Sequence, residues 1–140
     1  MPANTQPIFS VTGRVGWCAT ALTTANTAKD GTGTVLGVFT GGTNGSFVQR
    51  IRFKASGSTS NAAVVRVFIN NGLSNSVAAN NILFDEITIP VTTTTAEAAA
   101  TAVYELPLNF ALPVGYVINV TIGVTQTSGG VYVSVIGGDY

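Results

Sequence analysis

Three cations at alternate positions, Arg50, Arg52 and Lys54, are the most pointed chemical pattern in the sequence. On a strand, residues two apart project to the same side, so these like charges repel unless acids or phosphates answer them. Carboxylates such as Glu86 and Glu105, or those of a partner, are the expected answer. Nucleic acid fits less well, because Phe47 and Phe53 project away from the cations and offer no stacking platform beside them, and the overall charge is zero. Arg50, Arg52, Lys54 and Glu105 are therefore the candidate interface residues, placed to set registry between surfaces.

Catalysis has little to work with. The 140 residues contain no histidine, which removes the commonest general base and every Ser-His or Cys-His nucleophile pair. Asp85 and Glu86 are the only adjacent acids. Strand neighbours point to opposite faces, so these two cannot flank one bond, and one of them is expected to pair with Arg66 or Arg50. The remaining acids are too scattered for a calcium loop. Asp30-Gly31-Thr32-Gly33 has the glycines of a phosphate cradle at the wrong spacing, with no helix pattern after it, and reads as a loop. Cys18 reads as a buried small apolar residue. The sequence supports no catalytic residue, no cofactor site and no metal site, and the chain is not expected to be an enzyme.

The elements that would position the cationic stripe are short runs of β-branched and aromatic residues bounded by Gly, Asn, Pro and Ser. They cover residues 33–39, 47–55, 63–70, 82–89, 103–110, 116–124 and 131–136. In 47–55, Phe47, Ile51 and Phe53 share one face opposite the cations. In 63–70 both faces are apolar enough for burial, and in 116–124 Ile118, Val120 and Ile122 share a face opposite Asn119 and Thr121. Residues 92–101 are low in complexity; a polar loop is expected, with a short helix capped by Thr95 as the alternative. Residues 1–30 show no sustained period and are read as an irregular N-terminal arm or lead-in. Residues 31–140 form the domain: seven or eight strands with short connections, hence an all-β, antiparallel β-sandwich, jelly-roll-like in arrangement.

Composition points to assembly. Charged residues make up 9% of the chain, where roughly 25% is usual. Thr, Asn, Ser and Gly cover the surface instead, and such a surface associates without self-repulsion. Residues 1–70 hold all six bases and one acid, a balance of +5; residues 71–140 hold five acids and no base, a balance of −5. The halves are expected to pair their charges within one fold, or between subunits. No secretory leader is recognisable in residues 1–13 and no apolar run approaches membrane-spanning length, so a chain made and kept in the cytosol or released by lysis, without a membrane partner, is the expectation.

Several strings carry a resemblance: Asn-Gly-Ser-Phe-Val-Gln-Arg-Ile-Arg-Phe at 44–53, Arg-Val-Phe-Ile-Asn-Asn-Gly at 66–72, Ala-Asn-Asn-Ile-Leu-Phe-Asp-Glu-Ile at 79–87, Pro-Leu-Asn-Phe-Ala-Leu-Pro-Val-Gly-Tyr at 107–116 and Gly-Gly-Asp-Tyr at 137–140. From about residue 33 onward the chain resembles small virion proteins of tailed bacteriophages and prophages. That resemblance implies a structural part of the virion, a capsid decoration or cement protein acting as a homo-oligomer, possibly a trimer, on the major capsid protein. It carries over no site residue. Two other roles remain open at this point: a carbohydrate- or receptor-binding sandwich using Tyr104, Tyr116, Tyr132 and Tyr140, and a tail or baseplate component.

Overall fold

The computed structural model describes residues 9–57, 61–93 and 99–140. The described residues form eight strands: β1 Thr12–Trp17, β2 Leu36–Thr40, β3 Ser46–Ala55, β4 Ala63–Asn70, β5 Asn81–Ile89, β6 Val103–Leu112, β7 Val117–Ile122 and β8 Val131–Asp139, with one 3₁₀ turn at Ala78–Asn80. They make two four-stranded antiparallel sheets in the orders β1-β8-β3-β6 and β2-β7-β4-β5. The pairs β1:β8, β2:β7, β3:β6 and β4:β5 are those of one long hairpin whose successive rungs fall in alternate sheets. Among the described residues no helix is long and apolar enough to cross a membrane.

Alternation fills the space between the sheets. Val48, Ile51 and Phe53 of β3, Leu108 and Leu112 of β6, and Val131, Val133 and Val135 of β8 meet Val65 and Val67 of β4, Ile89 of β5, and Ile118, Val120 and Ile122 of β7 in one buried cluster. Removing these apolar surfaces from water is the main favourable term, and the period of two lets each strand contribute every second residue. One expected face differs. Gln49 is an extra residue in β3 relative to β8, so Val48 and Ile51 both point inward and Phe47 falls outside the core cluster. A bulge of this kind resets the alternation on either side of it.

The expected lead-in over residues 1–30 is corrected at Thr12–Trp17, each of which pairs with a residue of β8, from Asp139 back to Ser134. Their alternation is inverted for an edge strand: Val15 and Trp17 are exposed, while Arg14 and Gly16 face the second sheet. An apolar-outward pattern gives no inward apolar row to recognise. Residues 18–30 are irregular but anchored, with Cys18 and Leu22 in the core cluster and Leu22 exchanging backbone hydrogen bonds with Val131. Residues 1–8 lie outside the described residues, as do 94–98, where the helix capped by Thr95 was the alternative to a loop.

β1 approaches β2 closely. A Cβ on Gly16 would lie 2.2 Å from the Val38 carbonyl oxygen, so only glycine lets the two backbones come this near. Arg14 joins them: its Nη1 donates to Asp139 Oδ2 at 2.9 Å, its Nη2 donates to the Thr40 carbonyl, and its Cζ lies 4.0 Å from the Phe39 ring centroid. Asp139 also accepts from Ser46 Oγ, which in turn accepts from Gly42 N at 2.9 Å. Four chain segments meet at this polar clamp.

The outer side of the second sheet is covered by the chain itself. Asn26 is the organiser: its N donates to the Ile122 carbonyl at 2.7 Å, and its Nδ2 donates to the Thr32 and Thr34 carbonyls, both at 2.8 Å. Asn75 Nδ2 then donates to the Gly33 carbonyl and Asn81 Nδ2 to the Asn75 carbonyl, both at 3.0 Å, tying the 71–80 loop to the same cover, while Asn70 Nδ2 donates to Asn81 Oδ1 at the loop's base. Phe68, which belongs to no inter-sheet cluster, is 0% exposed, and Asn119 and Thr121 are buried too. The two-sided burial expected for residues 63–70 is thereby explained.

Two stability outcomes follow from this packing. Gly16→Ala should cost about 1–3 kcal/mol by overpacking, whereas Gly13→Ala, whose Cβ would meet nothing within 4 Å, should stay within about 0.5 kcal/mol in urea unfolding. Phe68→Ala should cost about 3–5 kcal/mol although the residue lies outside the inter-sheet core; a loss below 1 kcal/mol in the same assay would contradict its burial beneath the loops.

Candidate functional site

The first sheet has no such cover among the described residues. Its outer side can be read row by row from the register. Trp17, Ser134, Arg52 and Glu105 align across the four strands; Val15, Ile136, Arg50 and Pro107 form the next row; Tyr132, Lys54 and Val103 form a third. The outer side is thus divided along its strands. β1 and β8 contribute an apolar half, in which Trp17 is 68% and Tyr132 is 54% exposed, and β3 contributes the cations.

The four candidate interface residues are brought together here. Arg52 Nε lies 2.7 Å from Glu105 Oε1, and Arg50 Nε lies 3.9 Å from the same oxygen. One carboxylate therefore serves two guanidinium groups, all three half-exposed, where solvent keeps each pair worth at most about 1 kcal/mol. Lys54 donates to the Thr101 carbonyl at 3.2 Å and has no ion pair among the described residues. Among the described residues, three positive charges against one negative leave a net excess of two on this side of the sheet. Val15, Trp17 and Ile136 were not singled out from the sequence as site residues, and Tyr132 only as one of four tyrosines open to a sugar platform. The signal that could have found them is the inverted alternation of residues 11–17, Val11, Val15 and Trp17 against Arg14, Gly16 and Cys18.

The other ion pairs also join the two halves of the chain. Arg14 pairs with Asp139, and Arg66 Nε lies 3.3 Å from Glu86 Oε2. Each ion pair among the described residues links a base from residues 1–70 to an acid from 71–140, as the charge asymmetry suggests, and Glu86 takes the partner expected for it.

The remaining candidates resolve into local structure. Asp30 Oδ1 accepts from Thr32 N at 3.0 Å and Thr32 Oγ1 at 2.6 Å, which closes the loop and holds the Asp30 carboxyl below its ordinary pKa, the hydroxyl contributing most. Cys18 is buried, its Sγ accepting from Val133 N at 3.2 Å. Tyr104 and Tyr116 pack against the core, so two of the four tyrosines available to a sugar platform are turned inward. The recesses are open and shallow: about 210 Å³ between the 20–24 segment, Thr34 and Thr121, about 400 Å³ beside Leu112 and Tyr140, and about 460 Å³ beside Arg50 and Glu105, so that several reach the roughly 300–1,000 Å³ of usual ligand pockets in volume but lie open at the surface. What this molecule offers is a surface.

No protein-family model matches the chain, and no curated protein matches it. Among solved structures the chain is similar to a chain of the cyanophage Pam1 capsid asymmetric unit, at 16% identity over 100% of both chains with a TM-score of 0.44. A superposition this loose fixes neither the ancestry nor the role of the chain.

Proposed function

We propose that the chain is a non-enzymatic structural protein of a phage particle, a capsid-surface protein of the decoration or cement type with a jelly-roll-like sandwich. It binds the shell and further copies of itself through protein contacts. The observation that carries this reading is the uncovered outer side of the first sheet, where Val15, Trp17, Tyr132 and Ile136 lie beside Arg50, Arg52, Lys54 and Glu105.

Three considerations support it. An apolar strip bordered by charge has the make-up of an interface, with an aromatic anchor in Trp17 and Arg at its border. The low charge of the remaining surface suits a protein crowded on a lattice of like subunits. The segments at 44–53, 66–72, 79–87 and 107–116 resemble small virion proteins, and in this reading they contribute the cationic stripe, the β4 and β5 edge and the β6 strand.

Co-sedimentation with assembled, undecorated phage heads tests the reading. The wild-type chain should bind. The variant combining Arg50→Ser, Arg52→Ser and Lys54→Ser should bind at least tenfold more weakly at low salt, a difference of about 1.4 kcal/mol, with the gap narrowing at high salt. Binding to a glycan array without binding to heads would overturn the proposal in favour of a carbohydrate-recognising module.

A further inference from the structure

We propose that copies of this chain join head to tail, with the free edge of β5 in one copy laid across the outer side of the first sheet in the next. The inference rests on the assembly role proposed above and specifies which two surfaces meet. Among the described residues β5 is an edge strand of the second sheet, paired on one side with β4 and on the other with no strand. Along it, Ile82, Leu83 and Phe84 are three consecutive exposed apolar residues, Ile82 at 64%. Exposed edges normally carry lysine or proline or are kept very short, because an open edge invites pairing. β6, the corresponding edge of the first sheet, follows that rule: Pro107 removes a donor, and one extra residue before Phe110 breaks its register against β3. β5 has neither lysine nor proline, and its irregularity at Phe84 turns that ring against Phe110, with centroids 5.0 Å apart, leaving Ile82 and Leu83 uncovered.

Charge says what covers this edge. Asp85 and Glu86 follow the apolar trio directly, alternating on either side of the strand. Arg66, whose side chain is 11% exposed, offsets Glu86 only in part, since Glu86 keeps 53% of its side-chain surface in water. The edge therefore runs from apolar to acidic. The outer side of the first sheet runs from apolar on β1 and β8 to cationic on β3. The spacings agree: Asp85 lies about 10 Å along the strand from Ile82, and β3 lies about 10 Å from β1 with β8 between them. An edge crossing the strands would place Ile82, Leu83 and Phe84 over Val15, Trp17 and Ile136, and the two carboxylates over Arg50 and Lys54.

The two surfaces are different patches of the molecule, one on the outer side of the first sheet and one on an edge of the second. Their contact is heterologous, and repetition produces a closed ring or an open chain rather than a two-fold dimer. Rotation between copies decides which.

Light scattering on the full chain at micromolar concentration, with charges reversed on one surface at a time, tests this. Arg50→Glu with Lys54→Glu leaves the Arg52 and Glu105 pair in place and turns the face acidic. Asp85→Lys with Glu86→Gln keeps an acceptor for Arg66 and makes the edge basic. Each pair of changes should raise the apparent dissociation constant at least tenfold and yield monomer, with far-UV circular dichroism unchanged. The chain carrying all four changes should recover the wild-type mass. A folded oligomer indifferent to either reversal, or no recovery with four changes, overturns the contact. A monomeric wild-type chain that still binds heads overturns it and leaves the shell-binding role standing; one that neither self-associates nor binds heads removes both.

Discussion

The antiparallel ladder between β1 and β8 brings the two ends of the described chain together, and the arrangement of the other strands depends on it. With the first and last strands side by side, β2 must find β7, β3 must find β6 and β4 must find β5, because each successive rung of the rolled hairpin lies inward of the one before. Backbone hydrogen bonds alone would leave that outermost rung prone to fraying. Arg14 prevents this by reaching Asp139 beside it and the Thr40 carbonyl across the layer, while Gly16 removes the side chain that would hold the layers apart. One charged residue and one absent side chain close this flank of the sandwich. The opposite flank, between β5 and β6, is bridged by Phe84 and Phe110 and stays partly exposed.

The economy of charge follows from the same geometry. Twelve charged residues in 140 leave few to spare, and four ion pairs join first-half bases to second-half acids. Strands early in the chain are hydrogen-bonded to strands late in the chain, so bases gathered in one half and acids in the other meet across ladders. Among the described residues Lys29, Asp30 and Asp85 enter no ion pair, and on the outer side of the first sheet Glu105 serves two arginines while Lys54 reaches a carbonyl. The second sheet solves the matching problem differently: asparagines at 26, 70, 75 and 81 hold the 26–34 and 71–80 loops over its outer side and bury Phe68. One sheet is covered by its own chain, and the other has no such cover among the described residues.

Much of this was legible in the sequence because alternation is a strong signal where a strand has one dry side. The stripe of Arg50, Arg52 and Lys54 was visible for that reason, as were the inward rows of β4 and β7. The failures have equally specific causes. β1 escaped because its apolar residues point to solvent and its inward positions hold Arg14 and Gly16, so period two ran in the wrong phase for a buried face. Phe47 was assigned inward because a bulge at Gln49 leaves no mark in composition. The burial of Asn119 and Thr121 depends on loops that cross from distant parts of the chain, which no local window contains. The apolar half of the candidate surface became apparent only when β1 was placed beside β8.

Trp17 is the sole tryptophan and stands exposed on the edge strand of the surface proposed to make the contacts. Acrylamide quenching of its fluorescence, followed from dilute chain to chain assembled with itself and on heads, measures directly whether that surface becomes covered. The account predicts a fully accessible indole in the dilute chain, and a blue-shifted, several-fold less quenchable one after assembly. Unchanged emission and quenching while the particles form would show that assembly uses another side of the molecule, and would contradict the central claim.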